Sequence, residues 1–210
     1  STPITKRPNI KVISISQYKS VIGNKIFLFH SVLVMISMAV IIAYVTSAPA
    51  WIMIKLGLTQ DDFIFWFSVN AVVNILACVT APKFLKVFGV VKTLNVGLAA
   101  MILAGVMLIV LSSSHTAFAF MLPIMMSSIG FSLMMGTSAG QALSPFGEKA
   151  GTASALLGLM QMSGAALLVG LIQIMPISIL WQISLLMLAV LPLTIIWLLP
   201  NIQKQITSDC

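Results

Sequence analysis

The sequence predicts an all-α membrane protein built from six transmembrane helices, and three observations lead there. Only 7% of its 210 residues are charged and 60% are hydrophobic, for a mean hydropathy of +1.12; soluble domains carry about 25% charged residues. Six apolar runs are each long enough to cross a hydrocarbon core of about 30 Å. The basic residues collect in alternate loops, as topology determinants do.

Residues 1–25 are polar and basic (STPITKRPNI onward) and are expected to form a cytoplasmic segment that turns partly helical from Ile15. They lack the apolar core and cleavage site of a signal peptide. A first residue of Ser rather than Met suggests an excised or processed piece. The membrane domain is expected over 26–200, with spans at 27–53, 63–82, 90–111, 117–142, 150–175 and 179–199, and a cytoplasmic tail over 201–210. Breakers separate the spans: Lys55 to Gly57 with Asp61 and Asp62, then Lys83 to Gly89, Ser112 to His115, Ser144 to Gly147, and Pro176.

Ten basic residues (Lys6, Arg7, Lys11, Lys19, Lys25, Lys83, Lys86, Lys92, Lys149 and Lys204) fall on one side, and only Lys55 on the other. The positive-inside rule therefore puts both termini of this piece in the cytoplasm. Because these charges sit in short loops rather than on a solvated helix face, the net charge of +7 does not indicate a nucleic-acid partner. Cys78 and Cys210 are far apart, which argues against a disulfide or metal site; Cys78 is expected to be a small buried hydrophobe. No cofactor or metal is expected.

No Asp, Glu, Lys or Arg lies in the middle of any span, so the chain offers no obvious proton carrier of its own. His30, at the cytoplasmic edge of span one, reads as an interfacial polar residue. The polar residues within the spans are ordered. His30, Ser37, Tyr44 and Trp51 recur every seventh residue of span one, with Ser47 nearby; Ser127, Met134 and Gln141 repeat that spacing on span four, beside Gly130, Thr137 and Ser138. Seven residues make nearly two turns, so each set shares a face. Such stripes either line a wet cavity or bond helix to helix. Their places as first and fourth helices suit the leading members of two three-helix repeats.

Span two carries Asn70 and Asn74, whose amides should face protein rather than lipid. Spans three and six look like outer helices, with Trp181 and Trp197 as interface anchors on span six. On span five, Ser154, Gly158 and Gln161 share one face, next to a small pair of Gly151 and Ala155. Gly130, Gly151, Ala155 and Gly158 are the expected sites of close helix packing. Packing does not account for Gln161, which needs a hydrogen-bonding neighbour, water or ligand.

AGTASALLGLMQ (150–161) resembles the start of helix eleven in the Bcr/CflA group of drug/proton antiporters, in the major facilitator superfamily. YVTSAPAWIM (44–53) is similar to that group's late helix seven, and FSVNAVVNILACVTAPKFLKVFG (67–89) to its helix eight and following basic loop, without that loop's aspartate. The resemblance covers nearly the whole chain. It implies helices seven to twelve, the C-terminal half of a proton-coupled multidrug or small-metabolite efflux antiporter of the bacterial inner membrane. Its partners would be the N-terminal six-helix half, the lipid bilayer, protons and small amphipathic or cationic substrates. Residues 1–25 would then be the end of the central linker, and the usual proton-linked carboxylates would lie in the other half. On this reading Ser37, Tyr44, Ser47, Asn70, Ser127, Met134, Ser138, Gln141, Ser154 and Gln161 are the candidate cavity residues. The fourteen methionines, Met134, Met135, Met160 and Met162 among them, suit a deformable apolar surface. A membrane hydrolase is disfavoured, since no base lies at the depth of Ser154. A self-contained six-helix carrier or channel acting as a homodimer, or a structural membrane subunit, are the alternatives.

Overall fold

The computed structural model describes residues 15–199; the first fourteen residues and the tail from Pro200, with Cys210, lie outside the described part. The described residues are helical almost throughout and contain no strand. A short helix, Ile15–Ile22, leads into span one. Span one is the helix Lys25–Pro49, capped by the Asn24 side chain on the amides of Ile26 and Phe27 and prolonged by a wider π turn over Ala50–Lys55.

The next helical stretch, Gln60–Val110, is 51 residues long, about 76 Å of helix and more than twice a bilayer core. It is broken at Gly89, where φ 76° and ψ 173° turn the chain back; a Cβ would be strained in that region. Span two is therefore 60–88 and span three 90–110. Sequence reading placed a loop from Lys83, but the helix continues to the glycine because only there does the backbone leave the helical region. Span four is Ala117–Leu143, capped by Thr116. A tight turn, Ser144–Lys149, follows, with its bend at Gly147 (φ 24°). Span five joins Ala150–Leu159 and Ala165–Gln173 through a π turn at Met160–Gly164. Span six joins Ile179–Leu188 to Leu191–Leu198.

Side-chain pairs fix the directions. Span two runs with span four, since Trp66 meets Phe118, Asn70 meets Ser128 and Cys78 meets Ser132. Span three opposes span four: a Cβ on Gly97 would touch Met134, and one on Gly130 would touch Met101. Span six opposes span three, with Gly105 against Met187 and Trp197 bonded to Asn95. Span five runs with span one, with Gly164 on Met35 and Gln173 donating to Thr46. The six spans thus alternate up and down. Lys19, Lys25, Lys83, Lys86, Lys92 and Lys149 lie towards one end of the bundle; Lys55, Asp61 and Asp62 lie at the other.

Span one is the buried centre. Leu33, Val40, Ala43 and Ala48 on it pack with Leu98 and Met101 of span three, Ile124 of span four and Ile183 of span six. Two expectations are corrected here. Trp197 is fully buried, stacked on Phe29 at 5.8 Å, because its Nε1 donates to Asn95 at 2.7 Å; it is not an interface anchor. His30 is also fully buried, edge-on to Phe29 and Trp197, and not interfacial.

The backbones of spans three and four meet at Gly97 and Gly130. A Cβ on Gly130 would lie 2.9 Å from the Gly97 carbonyl oxygen and 3.1 Å from Met101 N, and backbone cannot swing aside. Gly130→Ala should therefore cost about 1–3 kcal/mol. Gly136→Ala, with nothing within 4 Å, should stay within about 0.5 kcal/mol; thermal unfolding of the two in detergent checks the difference.

The loop before span two closes with a capping box. Asp62 accepts from the Thr59 hydroxyl and the Thr59 amide, while the Thr59 hydroxyl accepts from the Asp62 amide. These bonds, the hydroxyl's first, hold the Asp62 carboxyl below its usual pKa. A depressed carboxylate stabilises the cap above the ordinary carboxylate range and loses that effect as pH falls through the lowered value. Amide exchange at residues 60–63 should speed up on that acid limb. Thr59→Ala should move the onset to higher pH.

Candidate functional site

The stripes on spans one and four face each other. The Ser37 hydroxyl donates to the Leu33 carbonyl at 2.7 Å and approaches the Met134 sulfur at 3.9 Å. Ser37, Ser47, Ser127, Met134, Ser138 and Gln141 are all buried between helices. Ser127 donates to the Ile124 carbonyl of its own helix. The Ser138 hydroxyl is buried without a partner. Of the two readings of these stripes, the chain by itself forms the helix-to-helix contact.

Tyr44 differs from its neighbours on the stripe. It is buried, stacked on Phe67 at 5.8 Å, and lines an open pocket of about 230 Å³ with Ile41, Val45, Asn70, Asn74 and Phe131. Its hydroxyl lies beside the Asn70 side chain, yet no hydrogen bond of standard length and angle satisfies it. Asn70 is held from the other side by the Ser128 hydroxyl at 2.9 Å. One turn on, Asn74 accepts from the Cys78 thiol at 3.7 Å, and Cys78 bonds Ser132 at 3.2 Å. Hydroxyls and amides are thus gathered where spans one, two and four meet, in a helical layer without carboxylates or amines. Such a pocket can hydrogen-bond an uncharged polar group and wrap apolar surface around it.

The remaining predicted residues lie elsewhere. Ser154 is exposed and Gln161 half-buried on span five, away from this pocket. Gln161 sits in the π turn, a form of helix frequent at functional sites. Gly130 makes the close crossing described above, whereas Gly151 and Gly158 have nothing within 4 Å in this chain and Ala155 is exposed. Cys78 is exposed rather than buried, because it borders a second cavity of about 360 Å³ between spans two and four. Phe131 and Cys78 were not among the candidate cavity residues. The signal for Cys78 was available: Phe67, Asn70, Asn74, Cys78, Ala81 and Leu85 keep to spacings of three and four along one face of span two. Among the described residues no group of three metal-ligating side chains occurs.

A multi-pass helical bundle with polar groups clustered at a helix junction beside open cavities has the features of a membrane-embedded binding domain. The comparisons with known proteins agree. The Major Facilitator Superfamily matches residues 2–169, and the chain belongs to that superfamily of transporters. It is 30% identical over 155 residues to the multidrug resistance protein MdtL of Salmonella paratyphi A, covering 74% of this chain and 38% of that protein. It is 31% identical over 144 residues to MdtL of Citrobacter koseri, covering 69% of this chain and 36% of the relative. The chain spans under two fifths of the length of these curated relatives. No solved structure matches it.

Tyr44→Phe removes a buried hydroxyl that no bond satisfies, so the fold should be unharmed or slightly more stable. Asn70→Ala takes away the Ser128 partner and should cost about 1 kcal/mol. Thermal unfolding of both variants beside the parent checks the ordering.

Proposed function

We propose that this chain is the C-terminal six-helix half of a secondary active transporter, a proton-coupled multidrug or small-metabolite efflux antiporter of the Bcr/CflA type. The observation that carries this reading is the match to multidrug resistance proteins over under two fifths of their length, together with six spans that reverse at Gly89 and Gly147. A second bundle would complete the carrier, and the halves would rock about a site near the midplane. The relatives' name supports drug-like substrates; the small amphipathic or cationic molecules that the family resemblance implies would place an uncharged polar part in the Tyr44–Asn70–Asn74 pocket.

The basic end of the bundle faces the cytoplasm of a bacterial inner membrane, with both ends of this piece on that side, following the charge rule. Residues 1–25 serve as the linker, 26–200 as the membrane domain and 201–210 as the tail. No span of this chain carries a central carboxylate, so the proton site belongs to the other half.

Energised everted vesicles carrying the complete protein test the reading. A cationic dye such as ethidium should be taken up while a proton gradient is held and should leave on addition of an uncoupler. Uptake that survives the uncoupler would refute proton coupling. An immunoblot of native membranes adds a second check: a band near this chain's own 22.5 kDa, rather than about twice that, would refute the two-half architecture.

A further inference from the structure

The geometry points to a single elongated cleft, centred on Phe131, in which this half holds an amphipathic molecule with an uncharged hydrogen-bonding end and a long apolar tail. The inference rests on the transporter reading and specifies which part of a substrate this half would take. Its basis is the adjacency of two cavities that meet at one residue, Phe131. The 230 Å³ pocket at Tyr44 and the 360 Å³ cavity at Cys78 share the Phe131 side chain as a wall. Both are floored by one face of span two, from Phe67 through Asn74 to Leu85, a run of roughly 27 Å at helical rise.

The two ends differ in chemistry. At one end the wall carries Tyr44, Asn70 and Asn74, with Asn74 half-buried. Polar groups in hydrocarbon need partners, and a ligand amide, hydroxyl or carbonyl would bond the half-buried Asn74 amide. At the other end the walls are Ala81, Pro82, Leu85 and Met135, together with Cys78 and Ser132, which are bonded to each other. No acid or base lines either part, so a charged group would enter without a partner. Together the cavities fall within the size range of small-molecule sites. Phe131 stands between the polar and apolar parts and would set whether a long molecule can occupy both.

Native Cys78 supplies a reporter at the apolar end, and Val45→Cys places one at the polar end. The probes are N-methylbenzamide and N-decylbenzamide, added to membranes holding the complete protein, with N-ethylmaleimide labelling read peptide by peptide in the mass spectrometer. At roughly ten times its Kd, a ligand leaves about one site in eleven open, so labelling should slow about tenfold. Both compounds should slow the Val45→Cys site, and only the decyl compound should slow Cys78. Phe131→Trp should abolish protection at Cys78 and keep it at Val45→Cys. Should that variant fail to fold, Phe131→Leu should let a shorter N-hexyl tail protect Cys78.

Protection at Val45→Cys by the decyl compound without protection at Cys78 would overturn the single cleft. So would a Cys78 that is unreactive with no ligand present, since another part of the protein would then cover this face. Protection at neither site would overturn the ligand class. None of these results touches energised dye uptake in the same vesicles, which separates failure of the cleft from failure of the transporter reading.

Discussion

A polar group inside the hydrocarbon has no water to bond, and the rest of this structure follows from where such groups are put. The chain carries many hydroxyls and amides within its spans and no central charge to anchor them. Most are turned inward and bonded at once. Ser127, Ser132 and Ser184 each return a bond to a carbonyl of their own helix, at 2.7, 2.9 and 2.7 Å. Asn70 and Asn95 accept from side chains on other spans, Ser128 and Trp197. The bonds that cross between helices also choose neighbours, because Asn95 can satisfy Trp197 only if spans three and six lie side by side.

Glycine supplies the complementary constraint. Lipid tails are as apolar as leucine, so helices in a membrane adhere through close packing rather than exclusion of water. Gly97 and Gly130 bring spans three and four near enough for backbone to touch backbone, and Gly164 admits the Met35 side chain between spans one and five. Gly136, Gly140, Gly151, Gly158 and Gly170 do nothing of the kind inside this chain. The same residue type therefore has two settings here, one within the bundle and one on its open surface.

That division explains how much could be read from the residues alone. The all-helical membrane class and the six spans were legible, because hydropathy, breakers and loop charge report directly on a bilayer. The facing stripes were legible as faces but not as contacts: a seven-residue period places Ser37 and Met134 on a side and leaves the partner unnamed. Gly130 and Gly151 look alike in sequence, and only the neighbouring helix separates them. Trp197 misled for a related reason. A tryptophan near the end of a span commonly sits at the interface, and the feature that overrides this, Asn95, is a hundred residues away. Cys78 was read as buried because its own run is apolar, whereas its setting is decided by the gap between spans two and four.

The same physics gives the bundle two kinds of surface. Span one is enclosed and its small residues are packed, so spans one, three, four and six have little freedom to move separately. A carrier that rocks as rigid halves requires such a core. A binding site requires the opposite, polar capacity left unspent, and along the junction of spans one, two and four it is unspent at Tyr44. A hydroxyl buried in helix contacts on every side would be removed at no loss by phenylalanine. At Tyr44 the hydroxyl itself is buried, but the side chain lines a pocket beside two asparagines, whose amides would meet a bonding group brought by the proposed ligand. On the proposed reading, the polar capacity of these amides becomes a preference for molecules that can match it.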